Sequence, residues 1–293
     1  MLRTAEAEDH GAITIVNAMA TGQGAALGIT LSTRARVTLT NRAGVFLARN
    51  LSNPSENPYL ARMTAQHVFA RFGANKRMGA LIETESNIPF AVGLKSSSAA
   101  SNAVALASLH VLGRETSDVE VVRLSVEASL RAGVTLTGAF DDACACYFGG
   151  LVVTDNSKRK ILRRFKPRGR LGVLIHVPNM KRYTRDVDLK PFRAIKGFVN
   201  AAHQDALRGN YWNSMTLNGL AYSMALGYDP TVTSAALNAG AIAAGLTGKG
   251  PAVAAIVSES KKNSVRAAWS RIKGEIIDTS FNFRKATISR VQR

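Results

Sequence analysis

Three consecutive serines, Ser96, Ser97 and Ser98, follow Gly93-Leu94-Lys95 and lead into the alanine-rich run that begins at Ala99. If that run is helical, the serines fall in its first turn, where unsatisfied backbone N–H groups and the positive end of the helix dipole bind an anion. Gly93 lets the backbone come close without a Cβ, and Lys95 adds a charge beside the same anion. A serine-capped helix would need only one of the three hydroxyls. The implied chemistry is phosphate binding, with hydroxyls left over that can reach a metal. Two conventional nucleotide motifs fail on spacing. A Walker loop needs glycine five residues before Gly248 and Ser or Thr after Lys249, and the chain has Ala243 and Gly250 there. The dinucleotide fingerprint started by Gly22 and Gly24 meets Leu27 at its third glycine position.

Two further stretches carry chemical potential. Asp141 and Asp142 are adjacent carboxylates that point to opposite sides if the segment is extended. The glycines of Thr247-Gly248-Lys249-Gly250-Pro251 either turn the chain between a helix and a strand or let a loop close over phosphate or acceptor. Cys144 and Cys146 are the only cysteines, and the histidines at 10, 67, 110, 176 and 203 are scattered, so neither a disulfide framework nor a zinc site is expected. The two cysteines read as small buried residues.

The elements that must position these groups follow from periodicity. Ala12 to Val16 and Ala35 to Leu39 are β-prone runs flanking the glycine-bearing stretch Thr21 to Gly28, which suits a ligand-approaching loop. Asn57 to Arg71 reads as a helix, Met78 to Ile88 as a strand, and the serine run as the start of a helix ending near Gly113. Ser117 to Ala132 reads as a helix with Val121, Leu124 and Ala128 on one side and Glu120, Arg123 and Glu127 off it. Beyond the basic stretch Lys158 to Arg170, Leu171 to Val177 reads as a strand and Val199 to Leu226 as one or two helices. Thr233 to Ala244 reads as another helix and Ala252 to Val257 as a strand. The basic stretch has the composition of a surface hairpin or inter-lobe connection, which divides the chain into lobes 1–160 and 161–293. Strands alternating with long helices argue for an α+β or α/β second lobe.

Composition narrows the function classes. Hydrophobic residues make up 46% of the 293 and charged residues 20%, ordinary for a globular chain with a sizeable core. The longest uncharged stretch, Gly11 to Thr33, is too polar and too rich in glycine for a membrane span, and Met1 to His10 lacks a secretory pattern, so the cytoplasm is expected. The net charge is +18. Nucleic acid is argued against because aromatic residues barely interleave with the basic ones. A positive face that attracts anionic substrates accounts for the same numbers.

Pro89-x-x-x-Gly93-Leu94 followed by Ser97-Ser98-Ala99-Ala100 resembles the central motif of the GHMP kinases, the galacto-, homoserine, mevalonate and phosphomevalonate kinases. The two residues Lys95 and Ser96, where most of that superfamily has a single glycine, make the segment similar to the archaeal shikimate kinases. Asn17 to Ile29 resembles that family's N-terminal motif, and Gly245 to Ala252 resembles its C-terminal glycine-rich motif.

The resemblance implies an N-terminal lobe of the ribosomal protein S5 domain 2 type, a ferredoxin-like C-terminal lobe, and ATP and acceptor between them. It also implies roles. Gly93, Leu94, Lys95, Ser96, Ser97, Ser98 and Ala99 would wrap the ATP phosphates, Ser98 and Glu127 would ligate Mg²⁺, and Asp141 would act on the acceptor hydroxyl, with Asp142 supporting. In-line phosphoryl transfer needs those three functions. For shikimate, whose carboxylate calls for a fixed cation, Arg182 and Arg185 are the candidates. Thr21 and Gly22 are placed by motif position near the ring hydroxyls, and Thr247, Gly248 and Gly250 near phosphate or acceptor. One departure stands out: Gln23 occupies the place where several GHMP kinases have lysine, and Lys249 is the candidate to compensate. Homoserine or mevalonate as acceptor, and a basic nucleic-acid-binding protein that keeps the fold without the reaction, remain open. Oligomeric state is not legible in the sequence.

Overall fold

The computed structural model describes residues 3–135, 137–180 and 190–292. It is an α+β molecule with two sheets. The first is built around two long strands, β1 (Thr4–Val16) and β2 (Gln23–Thr40), which pair antiparallel over most of their length. Their alternation of small buried residues such as Ala5, Ala7 and Ala35 with outward polar ones is the period-2 pattern of a half-buried sheet. β3 (Phe46–Asn50) runs parallel to β4 (Gly79–Ser86), the two joined through helix α1 (Tyr59–Arg71), and β4 pairs with β2.

Helix α2 (Ser96–Val111) lies against β1 and β2, and α1, α3 (Asp118–Arg131) and α4 (Phe140–Phe148) surround it. Twelve of the sixteen α2 residues are buried, nearly all Ala, Ser, Val or Leu. A helix apolar or small on every side has no solvent face and becomes the centre of its lobe. Its small side chains let the sheet and three helices close around it. The first sheet is completed by the hairpin β5 (Leu151–Asp155) and β6 (Lys160–Phe165), with β5 paired to the start of β2. The basic stretch therefore forms β6 and the link beyond it, and the lobe division expected at residue 160 falls at the head of this strand.

The second sheet has the order β10 (Glu275–Thr279), β7 (Leu171–Val177), β9 (Val253–Ser258), β8 (Ala243–Leu246), all antiparallel. Its helices are α5 (Phe192–Arg208), α6 (Tyr211–Leu226), α7 (Thr231–Asn238) and α8 (Glu259–Trp269). Gly209, left-handed at φ 96°, ends α5 and separates it from α6. The helix expected over Thr233 to Ala244 stops at Asn238, because Gly240 at φ 96° breaks it and Ala243 enters β8. α6 packs on both β8 and β1, so it ties the second layer to the first. The chain then returns: β11 (Thr287–Gln292) pairs antiparallel with the start of β1. Among the described residues no helix is long and apolar enough to cross a membrane.

Candidate active site

The segment before α2 winds tightly, with Ala91, Gly93 and Lys95 all at positive φ. At Gly93, φ is 92° and an added Cβ would lie 2.9 Å from the carbonyl carbon of Thr247, so this glycine is required twice over. Lys95 is the N-cap of α2 in the left-handed conformation and no side chain caps the helix, which leaves the first-turn donors to a ligand. Gly93, Lys95, Ser96, Ser97 and Ser98 line a cleft of about 150 Å³ whose opposite wall carries Asp141, Asp142, Ser125 and Ser129.

The Lys95 side chain, only 5% exposed, turns into this cleft: Nζ donates to Thr14 Oγ1 (2.7 Å) and pairs with Asp142 Oδ1 (3.0 Å). The expectation that the two aspartates diverge along an extended chain fails, because both sit in the first turn of α4 and both line the cleft. Neighbours on a helix are about 100° apart, so both reach one opening. Asp141 is buried; burial first, and then the Asp142 charge, push its carboxyl up to about 7, against the opposing pull of Lys95 and a hydrogen bond from Asn156. That carboxyl holds its proton well into the range where a general base works best.

Asp141 is held from behind. Asn156 Nδ2 donates to Asp141 Oδ1 (2.7 Å), while Asn156 Oδ1 accepts from the Asp141 backbone N–H (3.1 Å) and from Thr154 Oγ1 (2.7 Å). The Asn156 N–H donates to the Gly22 carbonyl. Gly24 lies against the other side of the carboxylate; an added Cβ there would be 2.6 Å from Asp141 Cγ.

The Thr247 to Pro251 loop crosses from the second sheet to the floor of the cleft. Thr247 Oγ1 donates to the Gly93 carbonyl and accepts from Thr14 N–H, and the Gly248 N–H donates to Thr14 Oγ1. Asn17 Nδ2 donates to the Gly248 carbonyl, and Asn218 of α6 accepts from the Asn17 N–H. Four segments distant in sequence are thus stitched around one opening.

Of the sequence-predicted residues, Gly93, Lys95, Ser96, Ser97, Ser98, Asp141 and Gly248 line the cleft together. Leu94, Ala99 and Thr247 are buried behind it, and Gly250 packs against the Tyr228 ring. Glu127 is not on the lining: Ser125 and Ser129 share the cleft face of α3, and Glu127 bonds His67 Nε2 (3.1 Å) and Arg159 (2.8 Å). Thr21 and Gly22 sit behind Asp141 next to Asn156 and Ser157, off the lining. Arg182 and Arg185 lie outside the described residues. Thr14, Asn17, Ser125, Ser129 and Asn156 escaped sequence reasoning. Only Asn17, in the N-terminal motif, carried a signal there.

The chain matches the GHMP kinases N terminal domain over residues 59–150 and the GHMP kinases C terminal domain over residues 200–275. It belongs to the GHMP kinases, an ATP-using family, and the α+β two-lobed fold is theirs. More particularly, it is 42% identical to a shikimate kinase of Methanosarcina mazei over 93% of this chain and 92% of that one. A shikimate kinase of Methanothrix thermoacetophila is also 42% identical, over 94% and 93%. Among solved structures, a homoserine kinase from Cytophaga hutchinsonii superimposes with a TM-score of 0.74 at 17% identity, covering 97% of both chains, a likeness of fold.

Proposed function

We propose that this chain transfers the γ-phosphoryl group of ATP to the 3-hydroxyl of shikimate. The observation that carries the reading is a cleft in which an uncapped, serine-lined helix start faces a buried carboxylate; the shikimate kinases 42% identical to this chain over more than nine-tenths of its length supply the acceptor. The triphosphate lies over Gly93 to Ser98, with the first-turn N–H groups and the Lys95 ammonium as donors. Asp141, on the opposite wall, takes the proton from the attacking hydroxyl as the oxygen–phosphorus bond forms, and the γ-phosphoryl leaves ADP in line.

Mg²⁺ suits the hydroxyl donors of this cleft, where Ser98, Ser125 and Ser129 are on the lining. Ser98 is the protein oxygen we assign to it; Glu127 joins only by giving up Arg159 and His67. When bound, the ion neutralises phosphate charge as it builds. Thr21 and Gly22, off the lining, act on the acceptor through Asn156 and Asp141, Gly248 closes over it, and Arg182 or Arg185 supplies the cation for its carboxylate. The cytoplasm, where ATP is available, is the compartment this reading requires.

A coupled ADP-release assay with Mg·ATP against shikimate, homoserine and mevalonate tests the proposal, with Asp141→Asn beside the wild type. Turnover with shikimate alone, lost in the variant, is expected. Turnover with another of the three alcohols instead overturns the acceptor, and undiminished turnover of the variant overturns the base.

A further inference from the structure

Behind the carboxylate on which phosphoryl transfer depends stands a residue that no motif singles out. Asn156 lies immediately after β5, is 3% exposed, and spends every polar atom of its side chain on the site. Its amide oxygen accepts from the backbone at the start of α4 and from Thr154, so the oxygen end is fixed and the nitrogen end must face Asp141 Oδ1. Its own N–H is anchored on Gly22, in the loop that the proposed function gives to the acceptor. Thr154 Oγ1 also reaches the Gly24 carbonyl (3.4 Å), on the strand that backs the carboxylate's other side.

We propose that Asn156 is the positioning residue of Asp141: it fixes the orientation in which Oδ1 is bonded and Oδ2 packs over Gly24, holds the carboxylate in readiness to receive a proton, and ties both to the segment of Thr21 and Gly22 through the Gly22 carbonyl. This rests on the reading of Asp141 as the base. A donor on Oδ1 stabilises the ionised form, so Asn156 works against the burial that keeps Asp141 protonated. The groups facing Asp141 are few. Lys95 comes from the head of α2, Asp142 and Cys144 from α4, and the Tyr222 hydroxyl from α6, while β2 and β5 present Gly24, Thr154 and Asn156, none of which titrates. Among the described residues, Lys95 and Asn156 are the two side chains that favour the anion.

The test is the pH profile of kcat/KM for the acceptor in Asn156→Ala and Asn156→Asp. The aspartate variant has the same shape and still accepts from Thr154 and from the α4 backbone, but it sets a carboxylate oxygen against Asp141 in place of a donor. In Asn156→Ala, the acid limb moves up by about one pH unit, a tenfold change in acid dissociation, and kcat falls about 100-fold from lost orientation. In Asn156→Asp, the limb moves further, and affinity for ADP, which binds across the cleft, stays within about twofold in both. A residue that merely fills space would leave the limb of the isosteric variant in place, and an unmoved limb in Asn156→Asp overturns the proposal even if Asn156→Ala fails to fold. Asp141→Asn separates the two ideas. If that variant is dead while the limb stays put, the clamp alone is wrong; if it turns over normally, the base reading falls first.

Discussion

Gly24→Ala puts a single methyl against Asp141, the side chain proposed as the base. The added Cβ would sit 2.6 Å from Asp141 Cγ and 3.0 Å from Asp141 Cβ, where non-bonded carbons prefer about 3.5 to 4.0 Å. The overlap has little room to relax on the strand side, since Gly24 is paired with Thr154 of β5 and the next residues, 25 to 27, are paired with both β1 and β5. Nor can the carboxylate retreat while Asn156 holds it. Overpacking of this kind costs about 1–3 kcal/mol, and the cheapest relief is rotation of Asp141 off Asn156. Activity by coupled ADP release should fall about 100-fold for a displacement near 1 Å, with ADP affinity nearly unchanged because Gly93 to Ser98 are not touched. Urea unfolding closes the argument as a double-mutant cycle with Asp141→Ala. In that background only the 3.0 Å contact remains, so Gly24→Ala should cost less by about 1–2 kcal/mol. Equal costs in the two backgrounds, or wild-type kcat in Gly24→Ala, would refute the reasoning.

The pH dependence of the wild type and of two cleft variants follows from the same geometry. With Asp141 pushed up to about 7 from 3.8, kcat/KM should rise with pH through a limb near pH 7. The folded protein keeps a proton that the unfolded chain releases above about pH 4, so this group costs stability as pH rises from 4 to 7. Asp141→Asn should therefore be inactive yet lose less stability than the wild type across that window, as thermal melts at pH 5 and 8 will show. Lys95→Met removes the main charge favouring Asp141 ionisation and a cation of the phosphate loop. Its acid limb should move upward, and its affinity for ATP, read by calorimetry, should drop tenfold or more.

The segment from Gly93 to Ser98 is legible because its geometry is local: a helix start, a glycine and three hydroxyls declare themselves within ten residues. The carboxylate wall was half legible. The family resemblance singles out Asp141, but an extended chain would send its neighbour the other way, and the helix that brings Asp142 onto the same cleft depends on packing against α2 and β2. Thr14 and Asn156 gave no sign, since Thr in a strand and Asn after one are ordinary there, and their partners Gly248 and Asp141 are 234 and 15 residues away. Glu127 is the opposite case: the family resemblance selects it, while the turn of α3 puts Ser125 and Ser129 on the cleft lining and leaves Glu127 bonded to His67 and Arg159. The short strands β3, β8, β10 and β11 escaped because four to six residues hold too little alternation to read without a known neighbour.

The strand that closes the first sheet is made last. Residues 4 to 8 find their outer partner only in residues 287 to 292, so during synthesis the β1 edge stands open until those residues have been made. A bare edge is the part of a sheet that recruits stray strands. The lobe that holds the phosphate loop and both aspartates is therefore a nearly full-length object: cutting the chain between its layers would leave that lobe with an unprotected flank, and the two halves should unfold as one cooperative unit.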